Sequence, residues 1–119
     1  MALRDKITQN AQPMLEPGET VQAVAVGQSN SGWWQALSAL AIFFTKYQSL
    51  VVTDRRIVIF DNKKLFMSKP VAINRVLPRN TQIGPPSGLW WKCQSLGPNI
   101  FINKRFHKDI EKADGMRPA

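Results

Sequence analysis

The sequence predicts a mainly β domain: about seven antiparallel strands in a small barrel or sandwich, capped by a C-terminal helix. Three observations predict it. Residues 50–61, LVVTDRRIVIFD, hold two β-branched runs around the polar Thr53-Asp54-Arg55-Arg56, the pattern of an antiparallel hairpin. Further short Val-, Ile- or aromatic-rich runs follow, separated by Gly, Pro and Asn. Near the C-terminus, Phe106, Ile110 and Ala113 fall on one helical stripe. At 119 residues the chain can build one core and not two, so 1–119 reads as a single domain with its core at about 15–114.

The elements follow in order. Residues 3–12 suit a short helix, because Leu3, Ile7 and Ala11 share a face and Pro13 stops it. Pro17-Gly18-Glu19 is a turn, and 20–28 (TVQAVAVGQ) a first strand. Residues 33–44, WWQALSALAIFF, are Ala- and Leu-rich and read as an apolar helical insertion before the second strand. Because it is apolar all round, that helix must be buried or meet something apolar. Residues 47–53 and 56–61 make the hairpin, and Asp61-Asn62-Lys63-Lys64 turns the chain into a strand at 65–69. Residues 71–77 form a strand broken by Pro78, and 84–88 (GPPSG) a stiff loop. Strands at 89–96 and 99–103 precede a helix at 104–114, with Asn103 as its N-cap and Gly115 as its stop.

Composition narrows the function. Sixteen Lys+Arg against eight Asp+Glu give a formal charge of +8, and residues 45–105 alone carry eleven cations against Asp54 and Asp61. A body this basic attracts polyanions. The lone Cys93 excludes an internal disulfide and a thiolate cluster, and the polar start MALRDKITQN lacks the apolar core of a signal peptide. The chain therefore reads as cytoplasmic, with the inner face of the membrane as its other expected site. As a helix, residues 33–44 would extend about 18 Å at 1.5 Å per residue. That is too short for a hydrocarbon core of about 30 Å.

Beyond composition, the chain resembles a known family. The Pro17-Gly18-Glu19 turn before a first strand, the VVTDRRIVIFD hairpin, seven strands and a closing helix resemble the bacterial pleckstrin-homology-like (PH-like) proteins, related in fold to PH and GRAM domains. Residues 77–90 and 104–114 are similar to stretches of small uncharacterised actinobacterial members. The resemblance covers about 15–114 and implies two nearly orthogonal sheets with a helix capping one open end. It implies a binding module and no activity, since fold alone does not settle function. A typical phosphoinositide site places basic residues on the first two strands, where this chain offers only Lys46. That departure argues against phosphoinositide headgroup recognition.

No catalytic constellation is legible. His107 is the only histidine, and no GxSxG, Walker loop or HExxH is present, so we expect neither an enzyme nor a metal, cofactor or small-molecule substrate. The candidate contact residues are Trp33, Trp34, Phe43 and Phe44, which suit a protein partner, a second copy of the chain or the membrane interface. Lys46, Arg55, Arg56, Lys104 and Arg105 are candidate anion contacts. Lys104 and Arg105 at the start of the last helix oppose its dipole, and such a broken local rule can mark an anion site. The expected partner is a protein or a second copy, with an anionic membrane second. Nucleic acid stands third, because Trp90, Trp91, Phe101 and Phe106 read as core rather than as a stacking platform.

Overall fold

The computed structural model describes residues 3–29, 46–63, 69–93 and 100–117. Helix α1 (Leu3–Ala11) runs into a 3-10 turn (Gln12–Met14) and leads to strand β1 (Val21–Gln28). Strands β2 (Tyr47–Thr53), β3 (Arg56–Asn62), β4 (Pro70–Pro78), β5 (Trp90–Lys92) and β6 (Phe101–Asn103) follow, and a 3-10 turn (Lys104–Phe106) opens into α2 (His107–Gly115). The expected insertion at 33–44 lies outside the described residues, as does the strand expected at 65–69 except for Lys69.

The described strands form one antiparallel sheet in the order β4-β3-β2-β1-β6-β5. Six strands are described where the sequence predicts about seven, and they form one open sheet rather than a small barrel or sandwich. The physical reason is that β1 bonds to both β2 and β6, so the late strands extend the first meander instead of stacking on it. Among the described residues β4 and β5 are edges, and the sheet is open.

Directly paired residues share a face. Register therefore groups Val24, Val26, Val51, Val58 and Phe60 on one face and Ala25, Leu50, Val52, Ile57 and Ile59 on the other. All ten are buried, so the centre of the sheet is covered on both sides, which explains its unbroken Val/Ile runs. Helix α2 lies along the Val24/Val26 face of β1. At its start Phe106 shares a cleft with Val26 and Gln28, and at its end Arg79 ties the Ala113 carbonyl to Gln22. Gln22 is the extra residue of a bulge in β1, which frees its side chain to accept from Arg79 at 2.8 Å.

The stripe Phe106, Ile110 and Ala113 is buried as predicted, and so are Ile7 and Ala11 of α1. The two helices are pinned by Arg4, which donates to Asp109 at 2.7 Å and lies 5.2 Å from the Phe106 ring centre. Asp114 closes the other end, accepting from the N–H groups of Ile83 and Gly84 at 2.8 Å each.

The predicted dipole conflict disappears. Lys104 and Arg105 fall in the 3-10 turn, not in α2, whose first turn carries Asp109 and whose last turn carries Lys112. Asn103 caps that 3-10 turn by accepting from the Arg105 N–H. Two further boundaries shift: the helix expected to stop at Pro13 continues through it as 3-10, and Gly115 ends α2 without a left-handed turn.

Candidate functional site

The two ends of the sheet differ in chemistry. At the β2–β3 turn, Thr53-Asp54-Arg55-Arg56 meets the Pro17-Gly18-Glu19 turn. Asp54 accepts from the Thr20 N–H at 2.9 Å, and Arg56 grips Glu19 with two parallel bonds, Nε to Oε2 at 2.9 Å and Nη2 to Oε1 at 3.1 Å. The Thr53 hydroxyl and the Glu16 N–H donate to the same carboxylate. These bonds, Arg56 foremost, outweigh the cost of burial and pull the Glu19 pKa down to about 2. In return Glu19 raises the Arg56 pKa. The guanidinium of Arg56 is thus committed inside the protein. Arg55 is half-exposed and folds back towards Pro17 and Glu16, 3.7 Å from the Glu16 carboxylate. This end is a structural latch with acids and bases in near balance.

The opposite end is built differently. The last rung of β1 and β2 pairs Gln28 with Tyr47, and Ser29 and Lys46 close it with two further bonds of 2.9 Å. Residues 30–45 therefore leave and return at this end. The β2–β3 register runs 48↔61 and 49↔60, which continued by two residues sets Lys46 beside Lys63. Lys63 in turn donates its backbone N–H to the Lys69 carbonyl at 2.8 Å. Lys46, Lys63 and Lys69 are all exposed, and their backbones stand in a row at the ends of three adjacent strands, which lie about 5 Å apart. Asp61 is the one acid on this part of β3, and it accepts from the amides of Gln48 and Asn74.

Beside the row, under the Gln28–Tyr47 rung, lies a cleft of about 250 Å³. Val26, Tyr47, Trp90 and Phe106 supply its apolar walls, and Gln28, Asn103 and Arg105 its polar groups. The Arg105 guanidinium sits 4.9 Å from the Phe106 ring centre. Lys104 is exposed on the same 3-10 turn, its backbone N–H donating to Leu89.

The structure thus brings Lys46 and Arg105 to one end and leaves Arg55 and Arg56 at the other. Trp33, Trp34, Phe43 and Phe44 lie outside the described residues. Sequence reasoning missed Lys69, which only strand register sets beside Lys63. It also missed Gln28, Tyr47, Trp90 and Asn103 as a group, because the cleft draws them from four strands. The Glu19–Arg56 pair spans 37 positions, and its only signal was a buried-strand hairpin placed after a Glu-bearing turn.

Of the aromatics near the basic residues, Phe106 is buried and Trp90, Trp91 and Phe101 are half-buried. Trp91 packs edge-on to His107, whose buried Nε2 has no hydrogen-bond partner among the described residues. Among the described residues no three His, Cys, Asp or Glu side chains gather as metal ligands, and no helix is long and apolar enough to cross a membrane. Comparison of the chain with protein-family models, curated proteins and solved structures returns no match.

Proposed function

We propose that this chain is a non-enzymatic binding module of the PH-like superfold, which works through the end of the sheet carrying the lysine row. The order of the first four strands and the helix packed along β1 fit that superfold, while the single open sheet of the described strands departs from its two-sheet arrangement. The observation that carries the reading is the convergence of Lys46, Lys63 and Lys69 where residues 30–45, which hold the apolar 33–44 stretch, leave and return. A basic row beside an apolar segment is the pair of signals that peripheral attachment to an anionic membrane needs. Each lysine near such a surface contributes about 1 kcal/mol. Three contribute about 3 kcal/mol, roughly a hundredfold in partitioning. This ranks the anionic membrane, at its cytoplasmic face, above the protein partner or second copy that the apolar segment alone suggests. Nucleic acid ranks lower, since among the described residues Trp90, Trp91, Phe101 and Phe106 are not fully exposed for stacking.

Co-sedimentation tests the reading. Wild type is expected to pellet with phosphatidylglycerol-containing vesicles and not with pure phosphatidylcholine. The K46E/K63E/K69E variant, checked for a native melting curve, is expected to stay in the supernatant. Wild type remaining in solution with both vesicles overturns the membrane reading. Concentration-dependent dimerisation in size exclusion, abolished by Trp34→Ala and Phe43→Ala, would put self-association in its place.

A further inference from the structure

We propose that the cleft beneath the Gln28–Tyr47 rung binds a carboxylate attached to a small, flat apolar body. Four observations carry this. Among the described residues no acidic side chain lines the cleft. Its polar groups are biased towards donors, because the Asn103 Oδ1 already accepts from the Arg105 N–H, which leaves its amide N–H₂ to face a ligand. Arg105 supplies a planar fork of donors that matches the two oxygens of a carboxylate, and its place over the Phe106 ring limits how it can turn. Tyr47, Trp90 and Phe106 give aromatic walls, which favour a flat apolar body over a bare inorganic anion.

Size narrows the ligand further. The cleft, at about 250 Å³, falls below the roughly 300–1,000 Å³ of pockets for drug-sized molecules. It suits an aryl acid or the terminal residue of a peptide, two sources of one chemistry. The site is separate from the lysine row: it uses Arg105 and the β5–β6 corner, and it needs no membrane.

Titration of the full chain by ¹⁵N NMR tests the assignment, following the Trp90 indole N–H, identified by its loss in Trp90→Phe. The probes are benzoate, its neutral counterpart benzamide, and a tripeptide ending in phenylalanine with a free or amidated C-terminus. Saturable shifts are expected with benzoate or the free tripeptide at millimolar concentration or below. Benzamide and the amidated peptide are expected to bind at least tenfold more weakly. Arg105→Gln, its fold checked by an otherwise unchanged spectrum, is expected to weaken the acid tenfold or more, while Arg55→Gln leaves it unchanged. Tighter binding of the tripeptide identifies a peptide terminus as the source, and tighter binding of benzoate a free small acid. The proposal is overturned by shifts that do not saturate, by equal binding of acid and amide, or by an Arg105→Gln variant with wild-type affinity. None of these readouts involves vesicles, so this site and the membrane reading stand or fall separately.

Discussion

At the residue scale, Glu19 shows how burial and bonding divide the work of a charged side chain. A carboxylate with no exposed side-chain surface is costly unless its lone pairs are filled. Here Arg56, Thr53 and the Glu16 backbone fill them. The folded pKa of about 2 lies below the ordinary 4.5, so the unfolded chain takes up this proton first as pH falls. The latch therefore contributes fully at neutral pH, and its contribution is lost as pH drops from about 4.5 towards 2. We expect Glu19→Gln to cost about 1–3 kcal/mol at pH 7 and to flatten the acid limb of the stability profile, measured by urea unfolding at pH 7 and pH 3. Arg56→Met strands the buried carboxylate and is expected to cost at least as much. Arg55→Met removes only a half-exposed pair, worth 0–1 kcal/mol at most. Equal losses from the two arginine variants would contradict the division between a structural arginine and a surface one.

At the element scale, the centre of the sheet depends on close approach at β1. Gly27 pairs with both Gln48 and Ile102, and a Cβ there would lie 2.5 Å from the Ile100 Cγ2. Gly27→Ala is expected to destabilise by about 1–3 kcal/mol through overpacking. Ile100→Ala in the same chain should recover part of that, so the double variant is less than additive in thermal unfolding. Strict additivity would locate the strain elsewhere. This joint also marks the boundary of what the residues disclose on their own. The strands β1 to β4 and the buried stripe of α2 are legible, because their Val/Ile runs and the 106, 110, 113 spacing depend only on local periodicity. Closure is not legible. The segment 101–103 bonds to β1 beside Gly27, whose missing Cβ makes room for Ile100, and no local pattern announces that. The same limit applies to the site. Arg55 and Arg56 draw attention as an exposed pair in sequence, yet Arg56 is claimed by a residue 37 positions away. Lys69, unremarkable in sequence, joins a row only through strand register.

At the scale of the whole molecule, charge is sorted by end rather than spread evenly. Glu16, Glu19 and Asp54 sit with Arg55 and Arg56 at one end, and Lys46, Lys63 and Lys69 sit with Asp61 at the other. The eight steps from Arg55 to Lys63 run along β3, a separation of roughly 25 Å at about 3.3 Å per residue. That is some three Debye lengths at about 0.15 M salt, so the two ends act on a charged surface independently, whereas lysines at the ends of adjacent strands act together. A charge reversal should therefore matter by position and not only by its effect on net charge. Lys46→Glu and Arg55→Glu change the formal +8 by the same two units. We expect Lys46→Glu to weaken partitioning onto phosphatidylglycerol vesicles about tenfold or more, and Arg55→Glu to change it less than twofold. Raising the salt should erase most of the difference between the two, because screening removes the lysine contribution and leaves the apolar one. Equal losses from both reversals would mean that net charge alone draws the protein to the surface. Vesicle binding that ignores both salt and Lys46→Glu would assign the whole attachment to the apolar segment and leave the lysine row without a role.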